Sequence, residues 1–444
     1  MFRYFAATRF APKLGYRAFQ NHPVLANAVR VRPSQSRPVL TNAMRVRPGQ
    51  SRGMAMFPNV GLGDNSWRTP VLVVVLAVAV TTLGFTGYAM FFGPASQYPK
   101  PVRKLLREGG MAYLRPPEKQ DLPKAIECYT QALAQLDELG VADPRHTRTA
   151  QHITGLVARI ASVYTEMGDL DKAIDTYTDL LHRILGDDGM RDAKTQVRRL
   201  LDDSVPEGER QEILRALGCA NKLAETYEAR GRRSKRRSAV LPHACAAVTA
   251  DAQEAARWYQ WCLQLVMLTY QNHFNHQQLA QGKQPTNTPS FDPDTLPRFF
   301  PAEIVTSLMY NAATFFSGNA QTELAVPLLQ RALDLMRRGA DGHEPNVCRS
   351  SIVMSHLANA GVTTGDLPAA EKWALEGLAL AKRFPQNADC LNSFIALTYD
   401  LGAVYEAAGN SESARVQYRQ AIEIATTVGD DEAVKLTNEA MARL

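Results

Sequence analysis

The sequence lacks the motifs around which reactions are usually built. It has no G-x-x-x-x-G-K-[ST] phosphate loop, no H-E-x-x-H helix and no G-x-S-x-G elbow. No G-x-G-x-x-G follows a strand, and no strand-rich stretch is present to hold one. Cysteine is sparse. The 6 cysteines among 444 residues (Cys128, Cys219, Cys245, Cys262, Cys348, Cys390) lie far apart without a C-x-x-C. They give neither a zinc pattern nor an evident disulfide frame. His273 and His276 are three apart near a helix end, but no third metal ligand is evident and Gln and Asn crowd them. A solvated helix end is the expectation there. No catalytic residue, metal or cofactor is expected.

Acidic residues are scarce in one place. Residues 1–69 contain eleven Lys or Arg and a single acid, Asp64, so the chain's net charge of +6 leaves about −4 for the remainder. The basic balance therefore belongs to the N-terminus. Phe2, Tyr4, Phe5, Phe10, Leu14 and Phe19 alternate there with Arg3, Arg9, Lys13 and Arg17, the composition of a mitochondrial transit peptide. A nucleic-acid-binding arm is the competing reading. The apolar run that follows at once argues against it, and nucleic acid is not expected as a partner. Pro23 to Arg37 repeats as Pro38 to Arg52, with prolines that break helices in both copies. Residues 1–69 read as a presequence and disordered basic segment.

Val71 to Phe92 is a run of 22 residues without charge. At ~1.5 Å per residue it extends roughly 33 Å as a helix, enough for one bilayer crossing. A transmembrane helix over 70–93 is expected, with the lipid bilayer as a partner. Ala77, Thr81, Gly84 and Tyr88 fall on one of its faces, where small residues permit close helix–helix contact. Ordinary span composition explains the same residues. Positive charges flank both ends: Arg52 and Arg68 before, Lys100, Arg103, Lys104 and Arg107 after. Local charge counting favours the C-terminal side as the inside. A presequence acting first, followed by a stop-transfer span, places the C-terminal domain in the intermembrane space instead. The second argument is preferred.

From residue 100 a pattern returns six times. One copy runs Ala161, Tyr164, Gly168, Ala173, Tyr177, Leu180, and another runs Gly402, Tyr405, Gly409, Ala414, Tyr418, Ala421. Counted from the small residue, both have an aromatic at +3, glycine at +7, a small residue at +12 and an aromatic at +16. This spacing resembles the tetratricopeptide (TPR) signature. It implies helical hairpins whose small residues mark close helix contact and whose glycine ends the first helix. Four copies are partial, at Gly110, Ala224, Ala313 and Ala358, and the one at Ala313 lacks the glycine. A single hairpin cannot bury its apolar face, so copies must stack. The fold class expected over 100–444 is an all-α, TPR-like helical-hairpin solenoid. A final amphipathic helix, Asp431 to Leu444, closes it.

Two long insertions interrupt the repeats. The first, near 232–250, carries Arg232, Arg233, Lys235, Arg236 and Arg237 and reads as a solvated loop, with acidic lipid heads as an alternative contact. The second, near 280–301, holds Pro285, Pro289, Pro293, Pro297 and Pro301, which favour extended chain.

The first helix of each hairpin lines the inner surface of such a stack. The spacing places Arg159, Ser162 and Glu166 there, then Asn221 and Glu225, Tyr310 and Thr314, His356 and Asn359, and Tyr399 and Asp400. This mixed polar and aromatic set suits a peptide held by several modest contacts; packing or solvent contact is the plainer role. The Lys/Asn set that grips a C-terminal carboxylate is not evident, since Ser162 and Ala403 stand where Asn would be expected.

Presequence, single span and C-terminal stack together resemble the fungal TPR-containing adaptor subunit of the mitochondrial i-AAA protease complex. The similarity covers about Val71 to Leu444, and the nearest passages start at Asp121 and Gly155. The resemblance implies an inner-membrane adaptor, not an enzyme. Its partners would be i-AAA protease subunits and unfolded protein substrates, whose segments it passes to the protease. A mitochondrial import or chaperone receptor with a peptide-binding groove is the alternative. An enzyme would instead require a deep pocket with converging acids or histidines.

Overall fold

The structure, a computed structural model, describes residues 98–116, 119–142, 151–202, 204–238, 245–282, 284, 295–338 and 344–444. The presequence over 1–69, the span over 70–93 and its face at Ala77, Thr81, Gly84 and Tyr88 lie outside the described residues. Among the described residues no helix is long and apolar enough to cross a membrane. The described residues form fourteen helices. Six hairpins account for twelve of them: α1 (Lys100–Tyr113) with α2 (Leu122–Ala142), α3 (Gln151–Met167) with α4 (Leu170–Arg191), α6 (Glu207–Ser238) with α7 (Cys245–Ala280), α8 (Ala302–Gly318) with α9 (Thr322–Arg338), α10 (Glu344–Thr364) with α11 (Leu367–Ala381), and α12 (Ala388–Ala407) with α13 (Ser411–Val428). α5 (Ala193–Leu201) is inserted after the second hairpin, and α14 (Asp431–Met441) follows the last. The fold is an all-helical, TPR-like solenoid.

Within a hairpin the two helices meet at small residues. Ala161, Ala173, Ala313, Ala325, Ala358 and Ala374 are fully buried. At Gly402 a β-carbon would stand 2.6 Å from the Tyr418 ring, closer than any side chain tolerates. Gly402 therefore lets α12 lie directly against the aromatic ring of α13. Tyr418 is itself fully buried, and its hydroxyl donates to Glu406, 2.6 Å away.

The turns follow from two adjacent residues. Gly409 takes the left-handed conformation (φ 76°) and ends α12, and the Asn410 side chain then accepts the Ser413 N–H to start α13. Gly168 with Asp169 and Gly365 with Asp366 do the same at their hairpins. The hairpin without the glycine keeps the geometry: Ala320 itself adopts φ 61°. A β-carbon is strained there.

Helix α14 buries Ala433, Leu436, Thr437 and Ala440 against the last hairpin, while Lys435, Glu439 and Arg443 are exposed.

Two sequence expectations need correction. First, the insertion near 232–250 is mostly helix: α6 continues to Ser238 and α7 begins at Cys245. Among the described residues, the insertion lengthens both helices. The start of the basic run is tied to the protein. Arg230 bridges Asp251 and Asp171, both at 2.7 Å, Arg232 pairs with Glu228, and Arg233 donates to the Gly168 carbonyl at 2.6 Å. The side chains of Lys235, Arg236 and Arg237 lie outside the described residues.

Second, Cys348 and Cys390 form a disulfide, with Cα atoms 4.6 Å apart. Their 42-residue separation hid the pair, because only the stacking of one hairpin on the next brings them together. A bond closing a loop of that size stabilises a fold by about 2–4 kcal/mol. Cys128, Cys219 and Cys262 are buried free thiols, and burial pushes Cys219 up to about 12. Between hairpins two and three the chain makes further contacts. α4 is kinked at Gly186 (φ 67°, ψ 173°), and the Trp261 indole donates to the Gly189 carbonyl at 3.1 Å, fastening the end of α4 to α7.

From 281 to 301, the described residues are in no α-helix. His273 sits beside Gln277 Nε2 at 2.9 Å, and burial lowers its pKa. No group of three metal-ligating side chains occurs among the described residues.

Two substitutions test this account. Ala320→Gly relieves the left-handed alanine and raises stability by about 0.5–1 kcal/mol in urea unfolding. Gly402→Val forces α12 away from Tyr418 and lowers it by about 1–3 kcal/mol.

Candidate functional site

The first helices of the six hairpins, α1, α3, α6, α8, α10 and α12, stand in succession. The eleven residues named for the inner surface lie on the last five of these. Five of them (Glu166, Glu225, Tyr310, His356 and Asp400) hydrogen-bond to a neighbouring first helix.

On α3, Glu166 accepts the Tyr113 hydroxyl from α1, and the Arg159 guanidinium sits 5.1 Å from the centre of the same ring. Burial raises the Glu166 carboxyl pKa, partly offset by the Tyr113 hydrogen bond. On α6, Asn221 is buried and donates to Glu225 at 3.3 Å. Glu225 also accepts from Lys222 at 2.6 Å and, across to α8, from Asn311 at 2.6 Å. The Tyr310 hydroxyl of α8 is 3.0 Å from His356 Nε2 on α10. Burial pushes that imidazole down to about 4. Thr314 bonds back within its own helix to the Asn311 carbonyl. On α12, Asp400 accepts from Ser355 of α10, and the Tyr399 ring lies tilted against that of Tyr418 with centres 5.4 Å apart. Burial raises the Asp400 carboxyl to about 7, against the pull of the Ser355 hydroxyl.

Sequence reading missed the partners. Tyr113, Asn311 and Ser355 complete three of these bridges. Thr154 of α3 bonds to Glu212 and Arg215 of α6. Ser351 and Ser393 hydroxyls meet at 2.6 Å between α10 and α12. Every junction between successive first helices thus carries a polar bridge. The sequence held one usable signal, a Cys-x-x-Ser in each of α10 and α12. Nothing else marked the partners, because a polar residue on a helix face does not announce which helix it meets.

Ser162 and Asn359 differ from the rest. Both are half-buried on first helices, with no hydrogen-bond partner among the described residues. The arrangement offers hydrogen bonds, rings and partly covered polar groups.

The two perturbed groups give the stack opposing pH dependences. Asp400 binds its proton more tightly folded than unfolded, so its contribution is full below about 3.8 and lost as pH rises through about 7. His356 contributes fully above about 6.5, and that is lost as pH falls toward about 4. In Asp400→Asn the first slope disappears. We expect the variant to be about 1–4 kcal/mol more stable than the parent at pH 8, with little difference at pH 4. Thermal unfolding across that range reads both.

Comparison with known proteins fits this geometry. Residues 156–191 match the family model of the tetratricopeptide repeat, spanning most of α3 and all of α4. None of the curated proteins matches the chain in sequence. Among solved structures, BtubC (BKLC) from P. vanneervenii is 17% identical with a TM-score of 0.43, covering 69% of this chain and 92% of its own. Two structures of Podosopora anserina TPR-like repeats are each 14% identical, with TM-scores of 0.37 and 0.36; they cover 63% and 61% of this chain and 99% and 94% of theirs. Scores this low establish no shared overall shape. What is established is a tetratricopeptide repeat at residues 156–191 within an all-helical, TPR-like solenoid, a scaffold that implies protein–protein interaction.

Proposed function

We propose that the protein is a membrane-anchored adaptor that gathers unfolded protein segments and delivers them to the i-AAA protease of the mitochondrial inner membrane. One observation carries the reading: an uncharged run, Val71 to Phe92, directly precedes the TPR-like stack and follows a basic, acid-poor start. The anchor holds receptor and protease in one membrane. That raises their effective concentration, so each client contact can stay weak and releasable. The ATP site and hydrolytic metal belong to the protease. In this reading the solenoid lies in the intermembrane space, and Ser162 and Asn359 contact the client. The bridged residues hold the inner face in shape.

Affinity purification of the detergent-solubilised full chain tests this. A membrane-bound ATP-dependent protease should travel with it, and its absence would sink the proposal. Ser162→Arg with Asn359→Arg should reduce capture of an unfolded client at least about fivefold, roughly 1 kcal/mol of contact energy, while leaving the protease bound. Digestion of the domain in mitochondria with an intact outer membrane would favour the import receptor.

A further inference from the structure

The Cys348–Cys390 bond lies where the fifth hairpin stacks on the sixth. Both cysteines are fully buried, in the first turns of α10 and α12. Each is followed three residues later by a serine whose hydroxyl lies within hydrogen-bonding distance of the cysteine's own carbonyl, Ser351 at 2.7 Å from that of Cys348 and Ser393 at 2.9 Å from that of Cys390. One turn below the sulfurs the two hydroxyls lie 2.6 Å apart, so one donates to the other, which donates on to its own cysteine's carbonyl. Another turn on, Ser355 donates to Asp400. The Asn387 side chain accepts the N–H groups of Asp389 and Cys390, which fixes the start of α12. Sulfurs, hydroxyls and carboxyl form one continuous seam between these helices, with the covalent bond at its end.

We propose that Cys348 and Cys390 are an oxidative modification site. The bond is installed by exchange with a thiol-oxidising oxidoreductase and fastens the last two hairpins in register. The two thiols lose two electrons and two protons as the Sγ–Sγ bond forms. The oxidoreductase's disulfide is reduced to two thiols and takes both protons. Such a bond forms and persists where oxidants dominate and is rare where glutathione and thioredoxin keep thiols reduced. The solenoid therefore folds in an oxidising compartment. The bond must form before or during docking of the two hairpins, since the finished seam buries both sulfurs. The remaining described thiols stay reduced: Cys128, Cys219 and Cys262 are buried, and burial raises all three pKa values. The inference needs no protease and stands or falls separately from the adaptor reading.

The test counts thiols in the full chain, acid-trapped from intact cells and labelled with a maleimide under denaturing conditions. Of the 6 cysteines, one disulfide leaves four to label before reduction and six after. Cys348→Ser with Cys390→Ser should show four in both states. Six labelled thiols without reductant would overturn the proposal. So would loss of two thiols in the double variant, which would place the bond elsewhere. A second readout is hydrogen exchange on the purified, solubilised chain. Reduction should speed exchange at least about tenfold in α10 and α12 of the parent, leave α3 and α4 unchanged, and have no effect in the double variant. Equal exchange with and without reductant would refute the fastening role.

Discussion

The two helices of each hairpin approach so closely that the residue between them has to be small. Gly402 against the Tyr418 ring is the extreme case, and Ala161 and Ala173 are the repeated one. That approach sets the hairpin angle, and the hairpin angle sets how one repeat meets the next. The glycine–Asx turn serves the same geometry. One residue turns left-handed and the next caps the following helix, so the chain reverses in very few residues. Ala320 shows that the tertiary packing can hold the turn against its own residue type.

Stacking these hairpins leaves a row of first helices side by side. Apolar burial alone would allow them to slide, because it is nearly non-directional. The polar bridges at each junction remove that freedom. Tyr113 to Glu166, Thr154 to Glu212, Asn311 to Glu225, Tyr310 to His356 and Ser355 to Asp400 each demand one register. At the last junction the disulfide adds a covalent constraint. The carboxyl of Asp400 and the imidazole of His356 are displaced toward their neutral forms by the same burial that makes the bridges directional.

This changes what the inner face offers a partner. A residue that already bonds to a neighbouring helix holds shape first and contributes contact area second. Side chains without such a bond, of which Ser162 and Asn359 are examples, remain open to other contacts. Weak, distributed contacts are what a releasable receptor requires, and a rigid frame lowers the ordering entropy of making them.

The sequence by itself determined the hairpins, because their determinants are local. Ala161, Gly168, Ala173 and Tyr177 act within one repeat, and the same spacing at Gly402 repeats the instruction. It determined which residues share a helix face, since helical periodicity assigns them. The tertiary structure decided everything that joins one repeat to another. Asn311 lies 86 residues from Glu225, Asp400 lies 45 from Ser355, and Cys390 lies 42 from Cys348. It also decided that the insertion after Tyr227 lengthens α6 and α7, where Arg230 and Arg233 find partners on the preceding hairpin. The physical reason is the same throughout. Spacing along a chain specifies a face, but the partner of a polar group on that face is fixed only when the next repeat arrives with its own rotation and offset.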